Sequence, residues 1–235
     1  MGDYTNMSNY YDLIMQSGYY DYEKIVDHLI QFRPFNNVLE IGCGTGLILE
    51  ELSKRLPDLE IVGFDLTPAM LDIAHQRLDA HANIRLREQN VTSLQMDQTF
   101  DLAFSYGGVW YFVVDGVNEP FMVSHIAEAA PNQQGIEHVS THIVQGGKLL
   151  LGVQGPHHDY ASPISNGMIY SQKIEPRDHG FTKHYYLADG DQRLMSQTIE
   201  YRTYGFEEAL GLLRDHGFHH MPENSGSQFM AFQKS

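Results

Sequence analysis

Three glycines, Gly42, Gly44 and Gly46, occupy alternate positions inside "VLEIGCGTGLILEEL", with Glu40 just ahead of them and Asp65 further on. Glycine at such positions lets the chain take positive φ and lets the backbone close on a bound group. A carboxylate about 20 residues beyond the turn can accept hydrogen bonds from both hydroxyls of a ribose, while the turn itself meets the rest of a nucleoside. The spacing is G-x-G-x-G, not the G-x-G-x-x-G of dinucleotide enzymes, so a pyrophosphate is not what the turn is shaped for. A second chemical candidate is the pair His157 and His158 in "GVQGPHHDYASP". Imidazole titrates near neutrality, so either ring could act as a general base toward a hydroxyl or ammonium acceptor. His184 is a third candidate. Neighbours in an extended chain point to opposite faces, which argues against a metal held by the adjacent pair, and no metal site is expected. Cys43 is read as a small residue filling the turn.

Positioning these groups requires strands that end at them. "NNVLEIG", "EIVGFD", "NIRLREQN", "FDLAFSYG" and "GGKLLLGVQG" read as strands. "LILEELSKRLP" and "AMLDIAHQRLDA" between them have helical spacing, the second with Thr67 as N-cap and Pro68 in its first turn. A further helix is expected around residues 133–144. Strands alternating with helices predict a parallel, doubly wound α/β sheet. From Gly155 to Tyr204 the pattern changes to "MIYSQKIE", "TKHYYLAD" and "QRLMSQTIEYRTY", separated by turn signals at Glu175-Pro176 and Asp189-Gly190-Asp191. These predict antiparallel strands inserted at 155–204. "FEEALGLLRDHG" resumes a helix capped by Gly217, and "FHHMPEN" and "SQFMAFQK" finish as two short strands.

Size and charge narrow the partners. The chain has 235 residues, 30 acidic against 15 basic, a net charge of −15 and a single cysteine. Such a surface repels phosphate backbones, so nucleic acid and anionic membranes are poor partners. One cysteine excludes an internal disulfide framework. No apolar run reaches the ~18 residues of a membrane span, and the start lacks the basic and apolar regions of a signal peptide, so a cytoplasmic monomer or homodimer is expected.

"VLEIGCGTG", "VGFDLTPAMLDIA" and "FDLAFSYGGVWYF" resemble the first, second and fourth motifs of class I S-adenosylmethionine-dependent methyltransferases. The resemblance covers roughly residues 36–154 well and the last helix and strands in outline. It implies a Rossmann-like doubly wound sheet with a C-terminal antiparallel strand and the inserted antiparallel region, and S-adenosylmethionine as cofactor. Gly42, Gly44 and Gly46 would then line the methionine and ribose, Asp65 would hold the ribose, and Leu66 and Met70 would pack near the adenine. Asn90, with Val91 beside it, stands where the family commonly has an adenine-binding aspartate. Ser105 and Tyr106 would lie beside the transferring methyl, Tyr106 being counted with the histidines as a candidate catalytic group. Residues 1–30 would form a helical lid over a 31–235 catalytic domain, contributing Tyr11 and Tyr19. Trp110 and Tyr111 after the fourth strand, with Tyr160 and His184 in the inserted region, would line the acceptor cavity.

The nucleic-acid amino methyltransferases of that family carry Asn/Asp-Pro-Pro-Tyr/Phe where this chain has "SYGG", which with the acidic surface points to a small-molecule acceptor. The order of parts is similar to bacterial amino-sugar N-methyltransferases and other natural-product methyltransferases. The expectation is therefore N-methylation of an amine-bearing secondary metabolite, ahead of O-methylation. A cofactor-binding protein that transfers no methyl is the rival from another class, and a nicotinamide-dependent oxidoreductase is the second rival.

Overall fold

A computed structural model describes residues 4–222 and 226–235. Met1 to Asp3 of the expected lid and Glu223-Asn224 of the expected strand lie outside the described residues. Strands β1 (Asn37–Ile41), β2 (Glu60–Asp65), β3 (Ile84–Glu88), β4 (Phe100–Ser105) and β7 (Ile143–Gln154) run parallel in the order β3-β2-β1-β4-β7. Their apolar runs are long because both faces are covered, as parallel strands require. Val38 faces Ile25, Leu29, Leu49 and Leu71, from helices α2 (Tyr22–Ile30), α3 (Leu47–Arg55) and α4 (Pro68–Leu78). Leu39 and Ile41 face the opposite way, toward Ile136 of α5 (Ala129–Thr141) and Leu213 of α6 (Phe206–Asp215). Strand β13 (Phe229–Lys234) runs antiparallel to β7, and β12 (Phe218–His220) pairs beyond it.

Two short runs ahead of the inserted region were not expected to form strands. "WYFV" and "FMVS" form β5 (Trp110–Val113) and β6 (Phe121–Ser124). Strand β5 takes up pairing with β7 at Tyr111↔Gly152, just where β4 stops at Ser105↔Leu151. From β6 the sheet continues antiparallel through β11 (Gln192–Gly205), β10 (Gly180–Asp189), β9 (Ile169–Arg177) and β8 (Tyr160–Pro163). The main sheet and the antiparallel wall are thus one continuous surface. Pro176 lies within β9 instead of in a turn. It stands beyond the stretch of β9 that pairs with β8, so its missing N–H costs no ladder bond on that side. The helix expected at 133–144 starts and stops earlier, because Ile143 is already paired with Phe100 in the sheet.

Ahead of the sheet, helix α1 (Ser8–Ile14) passes through a kinked turn at Met15–Tyr19, where Gly18 has φ 93°, into α2. Met7, Ile14 and Met15 pack against Tyr170, Tyr185, Leu187 and Ile199 on one face of the antiparallel wall. The same helix is tied to the parallel half through Asp12. Its carboxylate accepts from the Thr45 hydroxyl at 2.6 Å and pairs with Arg77, which also bonds Glu50.

Candidate active site

The glycine turn is pinned before any ligand arrives. The Gly42 and Cys43 amides both donate to the Phe64 carbonyl at 2.9 Å, and the Gly44 amide donates to Asp65 Oδ2 at 2.9 Å. The other carboxylate oxygen of Asp65 accepts from the Thr67 amide at 2.8 Å. Thr67, expected to cap α4 with its hydroxyl, makes no such bond, so the aspartate fixes the entry to the helix. All three glycines have positive φ, but their surroundings differ. A Cβ on Gly42 would come within 3.2 Å of Gly108 Cα, and one on Gly44 would meet the Tyr11 ring edge at 4.0 Å. At Gly46 it would strike Leu78 at 2.7 Å, so that glycine serves the packing of α3 on α4.

Beyond the turn lies a partly open cavity. Its floor is Gly42, Gly44, Phe64, Asp65, Leu66, Met70, Gln89 and Val91. Eight tyrosines enclose the rest: Tyr4, Tyr11, Tyr19 and Tyr20 from the N-terminal segment, and Tyr111, Tyr170, Tyr185 and Tyr201 from the wall. His125, Gln154 and Lys183 are the polar groups among them. Gly107 and Gly108, the two glycines of "SYGG", bring bare backbone to the rim. A Cβ on Gly108 would lie 2.5 Å from the Ile41 carbonyl oxygen, and one on Gly107 would lie 2.5 Å from the Tyr20 hydroxyl.

Glu40 lies behind the turn, 3% exposed, and its Oε2 has no hydrogen-bond partner. Burial, and then the charge of Asp65, push its pKa well above the ordinary carboxylate value. Burial raises Asp65 too, opposed by the backbone amides that bond it. Each Asp65 oxygen has accepted one hydrogen bond and retains a second lone pair toward the cavity. The turn and the carboxylate of Asp65 fit a nucleoside, while the unpartnered acid of Glu40 lies next to the turn but not among the cavity's lining residues.

On the wall, alternation along β10 sends Phe181, Lys183, Tyr185 and Leu187 inward. His184 points the other way, with Nδ1 3.0 Å from the Thr198 hydroxyl and Nε2 3.4 Å from Glu175. It is therefore no cavity residue. Lys183 is 2% exposed, and its ammonium lies 5.6–5.9 Å from the ring centres of Phe181, Tyr185 and Tyr201. Burial lowers its pKa to about 7. The tyrosine hydroxyls form a chain, Tyr185 to Tyr201 at 2.7 Å and Tyr201 to Tyr4 at 3.0 Å, reaching His125 Nδ1 at 3.3 Å. Burial, with Lys183 nearby, holds His125 down at about 3, so its ring is neutral.

Several expected residues lie elsewhere. Trp110 is buried on the opposite side of β5 from Tyr111. Its indole N–H donates to Asn132 Oδ1 at 2.7 Å, and Gly135 leaves room for its ring. Tyr106 packs between Tyr20 and Phe229, and its hydroxyl donates away from the cavity to Gln228 at 2.9 Å. Ser105 is fully buried, with its oxygen 3.4 Å from the Trp110 amide. Asn90 spends its side-chain oxygen on the Thr92 amide and hydroxyl, and its neighbours Gln89 and Val91 reach the cavity instead. His157 sits behind Gln154, at 3.3 Å from its oxygen, with its pKa lowered by burial to about 3. His158 is exposed, and Tyr160 packs behind Tyr170 as a second layer.

A family model described as a methyltransferase domain matches residues 38–129. Over those residues the chain is similar to methyltransferase domains, and the proteins it resembles in sequence and in fold are methyltransferases. A curated relative is the malonyl-[acyl-carrier protein] O-methyltransferase of a Paenibacillus species, 30% identical over 152 residues, 62% of this chain and 49% of that one. The chain spans about a quarter to a half of the length of the curated relatives it matches first. Among solved structures, the amino pentose methyltransferase of calicheamicin biosynthesis from Micromonospora echinaspora has 17% identity, 96% coverage of both chains and a TM-score of 0.71. The sugar N-methyltransferase from Streptoalloteichus sp. has 17% identity, covers 95% of this chain and 92% of its own, and has a TM-score of 0.71. At such identity these two speak for the fold.

The matched residues hold the glycine turn, Asp65, the Gln89–Val91 edge, Tyr111 and His125. The N-terminal tyrosines, Gln154 and the β9–β11 wall fall outside them. Among the described residues no helix is long and apolar enough to cross a membrane.

Proposed function

We propose that the protein transfers the methyl group of S-adenosylmethionine to the nitrogen of a small-molecule amine. The observation that carries this reading is one cavity running from the glycine turn and Asp65 to a wall of tyrosines with His125 and Lys183. The cofactor supplies an electrophilic methyl carbon on a sulfonium and leaves as S-adenosylhomocysteine. Asp65 would accept the ribose hydroxyls, Gly42 and Gly44 would admit the chain of the ligand, and Leu66, Met70, Gln89 and Val91 would border the base. Glu40 would take up the amino group of the methionine arm.

Methyl transfer is a displacement at carbon, so alignment of nucleophile and methyl does most of what the protein must do. An amine reacts only as the free base. Burial and the neighbouring Lys183 charge both disfavour an ammonium in this cavity, and so favour the reactive form. His125 and His157, held near 3, are not proton acceptors at neutral pH. His125 is left as a neutral hydrogen-bond acceptor that orients an amine N–H, and the proton of the alkylated product goes to solvent. An alcohol would need a base at the moment of transfer, which these histidines do not offer. The absence of a histidine base, together with the fold shared with amine methyltransferases, supports nitrogen over oxygen.

Methylation of a carboxylate oxygen is the second reading. It also needs no base, and the 30% identical relative is an O-methyltransferase. Incubation with methyl-labelled cofactor and a panel of amines and carboxylic acids, followed by alkaline treatment, separates the two. An alkylamine keeps its label in base, whereas an ester releases it as methanol. No labelled product from any acceptor, despite cofactor binding, would favour a binding protein that transfers no methyl.

A further inference from the structure

We propose that Lys183 is the anchor for a carboxylate of the methyl acceptor, so that the substrate carries an acid group apart from the atom that is methylated. This rests on the methyltransferase reading above. Three aromatic rings receive the Lys183 ammonium within the protein, and none of them supplies a counter-charge. Its cross-strand neighbours on β11 and β9 are Ile199 and Ile174, both apolar. It is buried, yet none of the ion pairs among the described residues includes it, and burial is the one cause that moves its pKa. A buried cation without a counter-charge is costly, and proteins pair such groups when they keep them. Here the space beside it is the cavity.

The ring faces of Phe181, Tyr185 and Tyr201 that could have received a cationic substrate are already turned to Lys183. An ammonium ligand is therefore opposed at that end, and an anion is favoured. Lys183 is the one Lys or Arg among the lining residues. A phosphate dianion calls for several donors, usually arginines, whereas a single ammonium with tyrosine hydroxyls beside it suits a monoanionic carboxylate. The bond is noncovalent, and no electrons or groups are exchanged at Lys183.

The test uses protein saturated with S-adenosylhomocysteine and matched probe pairs that differ only in the acid, such as 4-(aminomethyl)benzoate against 4-methylbenzylamine. Calorimetry compares their binding to wild type, Lys183→Met and Lys183→Gln, with thermal melts to show that the variants fold. Methionine keeps the apolar stem and removes the charge. The expected result is binding of the acid member about tenfold or more tighter than its partner in wild type, a preference lost in both variants, with cofactor-product affinity unchanged. Lack of acid preference in every pair, or its survival in the variants, would overturn the assignment. A fall in S-adenosylhomocysteine affinity on substitution would also overturn it, giving Lys183 to the cofactor's own carboxylate. Failure of wild type to bind S-adenosylhomocysteine at all would remove the methyltransferase reading and the anchor with it.

Discussion

Replacing Asp65 by alanine tests the whole cofactor side of the cavity, because that carboxylate does two things at once. In the ligand-free protein it accepts from the Gly44 amide at 2.9 Å and the Thr67 amide at 2.8 Å, joining the glycine turn to the start of α4. Hydrogen bonds to a charged group contribute about 1.5–3 kcal/mol each. Burial of the carboxylate takes part of that back, as its raised pKa shows. We expect a net stability loss of about 1–3 kcal/mol, within the range for a buried polar group deprived of its partner. In the complex the ribose hydroxyls would donate to the same oxygens. Losing two such bonds costs about 3–6 kcal/mol, or a factor of roughly 100–10,000 in Kd for S-adenosylhomocysteine. Titration calorimetry on wild type and Asp65→Ala measures this directly. Repeating it with an analogue lacking both ribose hydroxyls removes the interaction from the ligand side, and the wild-type-to-variant ratio should then approach one. A variant that folds and binds S-adenosylhomocysteine as tightly as wild type would refute the placement of the ribose at Asp65.

Glu40→Gln mimics the protonated acid, and its effect depends on pH in a fixed direction. A carboxyl whose folded pKa is raised stabilises fully below the unfolded value of about 4.3 and loses that stability as pH rises through the folded pKa. In ligand-free protein the variant should thus gain in thermal midpoint over wild type as pH rises from 4.5 toward 9, and a gap that does not change with pH would contradict the burial argument. The same variant should bind S-adenosylhomocysteine less tightly than wild type at high pH, where the wild-type carboxylate is charged, with the gap narrowing as pH falls. Asp12→Asn breaks the pairing with Arg77 and weakens the bond from Thr45. Taking about 1–2 kcal/mol for a half-buried ion pair with one hydrogen bond, release of S-adenosylhomocysteine should quicken by about 5–30-fold in stopped-flow tyrosine fluorescence, whereas an unchanged rate would detach α1 from the gating of the site. Trp110→Phe should lower stability by about 1–3 kcal/mol through the lost bond to Asn132 while leaving KM for the acceptor unaltered, and a raised KM would return Trp110 to the cavity.

What could be read in the sequence was what local chemistry writes there. The G-x-G-x-G turn, the acid ending the second strand and the period of the flanking helices specify backbone shape within a few residues of themselves. Trp110 and His184 failed for a different reason. Each sits next to a cavity residue, Tyr111 and Lys183, and in a strand one step along the chain means the other face. With β5 unrecognised and the register of β10 unknown, the sequence offers no means of choosing between neighbours. Lys183 could have been suspected, since "FTKHYYL" places a lysine in phase with Phe181, Tyr185 and Leu187. His125 carried no such signal, because it follows a four-residue strand held between β5, itself unrecognised, and β11, far along the chain. Tyr106 and Asn90 were in the expected places, yet Gln228 and Thr92 took their polar atoms.

Helix α1 makes the two halves of the cavity interdependent. Through Tyr11 it lies against Gly44, and through Asp12 it is bound to α3 and α4, the elements that shape the cofactor side. Through Met7 and Ile14 it packs in the same cluster as Tyr185 and Ile199, on the wall that bears Lys183. A movement that uncovers one side must strip contacts from the other. The cost is then shared between two ligands, and whichever binds first, by ordering α1, lowers what the second must spend. Cofactor and acceptor should therefore bind with positive coupling even though neither needs to touch the other outside the reacting atoms. The coupling is carried by a helix only seven residues long, too short to hold its shape in water alone. Its order comes from the tyrosine wall on one side and Arg77 on the other, so the helix is held by contacts on both sides of the cavity.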